Sequence, residues 1–168
     1  MVATDAVPAY VECLRANALL NGVGKHLETR TGDLFAPVRG ETFDVIAANP
    51  PQLPTPPGRE WNDPRSGIDN GGPDGWLLLD RIIRECPPHL KPAGRLIFTL
   101  FGFLGVEGAL ERLRGAGLEP RIVAREEQPF PRLARERLEH IRSVSPDSTR
   151  LEGRPSTCER LVVCGHKE

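Results

Sequence analysis

The chain of 168 residues has no run of about 18 apolar residues, and that absence excludes a helix able to cross a membrane. Its opening, Met1-Val2-Ala3-Thr4-Asp5, has no basic stretch followed by an apolar one. No secretory signal is therefore expected, and the cytoplasm is the expected compartment. Charge of one sign is also lacking: 22 Lys and Arg stand against 23 Asp and Glu, for a net charge of -1. This balance argues against a broad polybasic surface and leaves only a local basic patch open. Cysteines are few and unpaired in pattern: Cys13, Cys86, Cys158 and Cys164 form no C-x-x-C. Cys158, Cys164 and His166 lie close together, but their spacing does not fit the common zinc sites, so reduced thiols and no metal are expected. There is no G-x-S-x-G elbow and no G-x-x-x-x-G-K phosphate loop. His26, His89, His140 and His166 join no recognisable catalytic set, and surface positions are expected for them.

Apolar residues make up 39% and charged residues 27%, the composition of one folded domain spanning residues 1–168. Proline is the excess: seventeen residues, crowded between Pro50 and Pro73, mark one special loop. Val2 to Asp5 reads as the end of a strand. Pro8 suits a first helical turn, Val7, Val11, Leu14 and Ala18 recur at helical spacing, and Asn21-Gly22 is the stop. Glu28 to Thr31 reads as a short strand. Phe43 to Ala48 reads as a buried strand ending abruptly at Asn49-Pro50-Pro51. Residues 53–73 form a long loop, of the kind that is usually functional. Helices are expected over Trp76 to Cys86 and from Val106 to Leu113, and a turn at Lys91-Pro92-Ala93-Gly94. Strands are expected at Leu96 to Leu100, Arg121 to Ala124 and Leu161 to Cys164. Residues 126–150 form a charged, irregular insertion, helical around Leu133 to Ile141. Its interleaved Arg and Glu fit a solvated face better than a nucleic-acid patch. The alternation predicts an α/β fold with a mostly parallel sheet and an antiparallel last pair.

Such sheets bind ligands at the carboxyl ends of their strands. Asp5, Asp33 and Asn49 stand there. A carboxylate at a strand end can accept both hydroxyls of a ribose, although a helix cap explains it about as well. Asn49-Pro50-Pro51-Gln52 is more specific. Its prolines stiffen the backbone and remove two donors, leaving carbonyl oxygens free to accept. A rigid acceptor pair of this kind can hold an amino or amide nitrogen against an electrophile by position alone. Gly102, Gly105 and Gly108 lack the spacing of a dinucleotide loop and read as an ordinary strand-to-helix turn. Trp61 and Phe130 are lid candidates.

Asp5, Gly32-Asp33-Leu34-Phe35, Phe43-Asp44-Val45-Ile46-Ala47-Ala48-Asn49-Pro50-Pro51, Gly71-Gly72-Pro73-Asp74-Gly75 and Leu90-Lys91-Pro92-Ala93-Gly94-Arg95-Leu96 occur in this order. The succession resembles the class I S-adenosylmethionine-dependent methyltransferases. Within them it is most similar to the Asn-Pro-Pro-aromatic group, which includes release-factor glutamine N5-methyltransferases and ribosomal RNA guanine N2-methyltransferases. The resemblance covers residues 1 to about 125 and 160–165. It implies a Rossmann-like sheet and S-adenosyl-L-methionine as cofactor. It also implies that Asp5 accepts the ribose hydroxyls, Ala6 lies beside the adenine, Asp33 accepts from the adenine amino group and Leu34 packs nearby. Asn49 and the Pro50 carbonyl would orient the methyl acceptor, with Asn49 also among the cofactor-binding residues and Pro51 and Gln52 completing the catalytic turn. The acceptor is expected to be a nitrogen or another heteroatom of a protein, a nucleic acid or a small molecule.

Two departures accompany the resemblance. Gln52 stands where the family has an aromatic ring that stacks on a planar acceptor, which makes a small-molecule acceptor more plausible. The family's first strand, first helix and Gly-rich loop have no counterpart within residues 1–168. The expectation is a C-terminal portion of a methyltransferase domain, whose sheet has a gap at its centre. The competing expectation is a non-catalytic or truncated subunit that needs another chain or an N-terminal segment.

Overall fold

The computed structural model describes residues 1–59, 69–146 and 151–168. They divide into two compact units, Met1–Glu41 and Thr42–Glu168. Among the described residues no helix is long and apolar enough to cross a membrane.

The first unit is a β-α-β element. Strand β1 (Val2–Asp5) leads into helix α1 (Pro8–Leu20) and strand β2 (Glu28–Thr31). The two strands pair in parallel, from Val2 opposite Glu28 to Asp5 opposite Thr31. Pro8 opens α1, where its missing N–H costs nothing, and Gly22, at φ 72°, turns the chain out of it. Only Val11 and Ala18 of α1 are buried, while Leu19 and Leu20 face solvent. Arg30 of β2 ties the unit's end together by bonding the Pro37 carbonyl and pairing with Glu41.

The second unit is a four-stranded sheet in the order β3-β4-β6-β5, with β3 (Phe43–Ala48), β4 (Leu90–Phe101), β5 (Leu118–Pro129) and β6 (Thr157–Lys167). Its helices are α2 (Leu77–Glu85), α3 (Val106–Gly115), α4 (Arg132–Glu136) and α5 (Leu138–Val144). Strands β3 and β4 pair in parallel, and β6 runs antiparallel to both β4 and β5. Every strand except the last thus runs parallel to its companions in its own sheet, the α/β pattern expected of the sequence. The core is built by alternation on β4, where Leu96, Phe98 and Leu100 are buried, against Leu79 and Ile83 of α2, Leu113 of α3, and Leu161 and Val163 of β6. Cys86 lies in this core, and burial pushes its thiol up to about 12.

Several expectations change. Strand β3 is an edge, not a buried strand: it ends its sheet, and Val45 and Ala47 are exposed. Lys91-Pro92-Ala93-Gly94 lies inside β4 as an irregularity. The register jumps there, with Phe43 opposite Leu90 but Val45 opposite Arg95, and Ala93 adopts φ 60°. Strand β5 continues to Pro129, so residues 126–129 of the supposed irregular insertion are strand. Phe130 is 2% exposed and packs against Phe103 at 6.0 Å between ring centroids, which makes it core rather than lid. Trp61 lies outside the described residues.

Candidate active site

In the first unit, parallel pairing brings the ends of β1 and β2 to one edge. The Gly32 N–H donates to the Asp5 carbonyl at 3.0 Å. The Asp5 carboxylate accepts the Val7 N–H through Oδ1 at 2.8 Å, which shapes the entry to α1. Its Oδ2 has no partner among the described residues, so one oxygen builds the turn and the other remains able to accept. Ala6 beside it is exposed. The turn after β2 is tightly made. A Cβ on Gly32 would lie 2.5 Å from Pro37 Cγ, and Leu34 is held at φ 43°, a region that non-glycine residues rarely occupy. Asp33 is exposed at the start of this turn, and its carbonyl accepts the Ala36 N–H at 2.9 Å. Asp5, Ala6, Asp33 and Leu34 therefore share the carboxyl edge of the first sheet.

In the second unit, the pairing of Ala48 with Phe98 sets Asn49 beside Thr99. Thr99 Oγ1 lies 2.6 Å from Asn49 Oδ1, and Arg160 Nη2 donates to the same oxygen at 2.8 Å and to Thr99 Oγ1 at 2.6 Å. The Arg160 guanidinium stacks over Phe101 at 4.1 Å, and Phe101 stacks in turn on Phe103 at 4.9 Å. Burial holds the Arg160 guanidinium below its ordinary value. Pro50 and Pro51 are half-buried, and the Pro50 carbonyl has no partner among the described residues.

Gln52 is 3% exposed. Its Nε2 donates to the Thr99 carbonyl at 2.7 Å, and its Oε1 accepts the Phe101 N–H at 3.3 Å. The side chain thus pins the turn to the end of β4 and offers no face to a ligand. Segment 53–55 is held by residues 71–72: the Thr55 N–H donates to Gly72 and the Gly71 N–H to Leu53. A Cβ on Gly71 would lie 2.6 Å from the Gln52 carbonyl carbon. The glycines here permit the loop backbone to press against the turn. Arg137, buried, closes the loop from α4–α5 by donating to Thr55 Oγ1 at 2.8 Å and the Asp69 carbonyl at 3.2 Å.

Thr99, Arg160 and Arg137 were not singled out from sequence. Thr99 sits inside an apolar run, and Arg160 and Arg137 sit among other charges. Only the strand register shows that Arg160, 111 positions from Asn49, reaches the same turn. Among the described residues no group of three or more His, Cys, Asp or Glu side chains is placed to hold a metal.

No family model matches the chain. It is 35% identical over 133 residues to a Methanocaldococcus jannaschii protein provisionally named a protein N5-glutamine methyltransferase, covering 79% of this chain and 66% of that protein. It is 37% identical over 106 residues to the release factor glutamine methyltransferase of Cereibacter sphaeroides, covering 59% of this chain and 37% of that one. The chain thus spans about two thirds of the first relative and little more than a third of the second. Among solved structures, the YcgJ protein of Bacillus subtilis matches the fold with a TM-score of 0.61 at 14% identity, over 99% of this chain and 82% of that one. The sequence likeness to these methyltransferases agrees with the fold: the chain belongs to the class I S-adenosylmethionine-dependent methyltransferases, in their Asn-Pro-Pro-x group with the protein N5-glutamine methyltransferases.

Proposed function

We propose that this chain binds S-adenosylmethionine and directs methylation of the side-chain amide nitrogen of a glutamine in a protein. The observation that carries the reading is the Asn49-Pro50 turn at the carboxyl end of β3, braced by Gln52 on β4, with its Pro50 carbonyl unpartnered among the described residues. Among the three acceptor classes considered from sequence, the names of the two relatives favour a protein nitrogen. The cofactor when bound supplies a methyl group on a sulfonium, so the chemistry asked of the protein is binding and orientation. The residues present fit that group in part. The unpartnered Oδ2 of Asp5 suits a ribose hydroxyl pair, with Ala6, Asp33 and Leu34 beside the base. Asn49 and the Pro50 carbonyl orient the reacting nitrogen, while Pro51 stiffens the turn and Gln52 braces it from beneath.

The test is calorimetric titration of the 168-residue chain with S-adenosylhomocysteine, followed by methylation assays on a glutamine-bearing protein. Saturable binding is expected, about tenfold or more weaker in Asp5→Ala. Asn49→Ala is expected to keep cofactor affinity and to lower kcat. Equal loss of cofactor affinity in both variants contradicts this division of roles. A folded chain that binds no cofactor supports the competing reading, a methyltransferase-like subunit that needs another segment or chain. The exposed edge strand β3 is the feature that favours that reading.

A further inference from the structure

Helices α4 and α5 stand between β5 and β6 in the chain, yet their polar contacts reach back to the loop that follows Gln52. Arg137, at the junction of the two helices, is 7% exposed. Its Nη1 donates to Thr55 Oγ1 at 2.8 Å and to the Asp69 carbonyl at 3.2 Å. Arginine only donates, so the Thr55 hydroxyl accepts, and its own proton goes to the Leu53 carbonyl at 3.1 Å. Three residues on, His140 Nε2 lies 2.7 Å from the Pro73 carbonyl; a carbonyl only accepts, so that nitrogen carries the ring proton. Between these contacts the loop closes on itself. The Thr55 N–H donates to the Gly72 carbonyl at 2.8 Å and the Gly71 N–H to the Leu53 carbonyl at 2.9 Å. Residues 53–55 and 69–72 are thus the two arms of a neck, and one guanidinium nitrogen spans it, with Thr55 on one arm and Asp69 on the other. The neck itself is mostly buried, and what it displays to solvent lies on either side of it, at residues 57–59 and at Pro73 and Asp74. Both acceptors of Arg137 are neutral oxygens, so what the buried cation contributes there is a fixed separation of the arms.

We propose that Arg137 is a positioning residue for a protein acceptor: by spanning the neck it sets the surface at residues 57–59 and 73–74 against which the chain flanking the reacting glutamine lies. This deepens the glutamine reading above and rests on it. A glutamine side chain is short, so a protein that delivers its amide past Gln52 must lay its backbone on whatever borders the loop there. A free amide brings no flanking chain and is indifferent to that surface. Arg137 therefore bears on the affinity for a protein and not on the affinity for the amide alone. Losing one of its two bonds is expected to weaken the protein complex about fivefold, the worth of one neutral hydrogen bond.

The test measures binding of two probes to the full 168-residue chain: N-acetylglutamine methylamide by NMR titration, and the release factor of Cereibacter sphaeroides by biolayer interferometry. Arg137→Lys keeps the cation but reaches only one of the two oxygens. It should weaken release-factor binding about fivefold and leave the amide affinity unchanged. Thr55→Val removes the same bond from the other side and should reproduce that split, and it carries the test should Arg137→Lys fail to fold. The two substitutions together should weaken the complex little further than either alone, because they break one interaction. A residue that only stabilises the fold would lower both affinities alike. Variants that lose both probes in parallel, or lose neither, overturn the assignment of Arg137 while the glutamine reading stands. A wild-type chain that binds neither probe takes down the glutamine reading and this proposal with it. None of these readouts needs the cofactor.

Discussion

At Gln52 both ends of the side-chain amide are spent on the backbone of β4, at the Thr99 carbonyl and the Phe101 N–H. The role expected of an aromatic at this position, stacking on a planar acceptor, requires a side chain that faces the substrate. Gln52 is instead buried and fastens the Asn49-Pro50-Pro51 turn to the neighbouring strand. Truncation should therefore act on stability: Gln52→Ala leaves two buried backbone groups unpaired, at about 1–3 kcal/mol. Gln52→Tyr should be no milder. The Gln52 backbone already meets the space a Cβ of Gly71 or Gly75 would need, at 2.6 Å in each case, and a larger ring overpacks a closed site. Urea midpoints of the two variants check this. A tyrosine variant as stable as the wild type, with improved turnover of planar acceptors, would show that the ring reaches the substrate side after all.

At the scale of elements, what could be read from sequence followed how deeply each element is buried. Strand β4 and helix α2 announce themselves because Leu96, Phe98 and Leu100, and Leu79 and Ile83, must all face one core. Strand β5 was legible only at its centre. It is an edge strand, largely exposed, and ion pairs such as Arg125 with Glu159 at 2.8 Å line it where apolar alternation would have given a signal. The strand-end acids and the Asn-Pro-Pro turn were legible because they sit at a break in pattern. Arg160 was not, since its partners come from a register that no local spacing encodes. Arg137 belongs to the same class. It lies in a charged stretch that reads as solvated, yet it is buried, and burial lowers the affinity of its guanidinium for a proton. Its bonds to Thr55 and Asp69 tie α4 and α5 to the loop after the turn. Arg137→Met should cost about 2 kcal/mol by orphaning those acceptors. Hydrogen exchange at the Thr55 and Gly71 amides, which hold the loop to itself, should rise before the global unfolding limit. Unchanged exchange there would mean that the loop is held by its own backbone bonds alone.

For the whole molecule the open question is what the edge of β3 does in solution. Natural edge strands are blunted by charge, proline or a covering element. Phe43-Asp44-Val45-Ile46-Ala47-Ala48 carries a single charge, and Asp44 is engaged by Lys91 at 2.9 Å, which holds its carboxyl below the usual range. Val45 is 47% exposed. An apolar strand that ends its sheet among the described residues is a template for further pairing, whether by an additional strand of the same protein or by a second copy. The 168-residue chain should accordingly self-associate as its concentration rises. Val45→Lys should suppress that association, because a cation on a two-copy edge repels its counterpart. Sedimentation velocity of the two proteins across a concentration series measures this directly. A wild-type chain that stays monomeric throughout, with Val45→Lys indistinguishable from it, would mean that the edge is not open to another copy. In that case the competing reading of a subunit completed through this edge loses its structural basis.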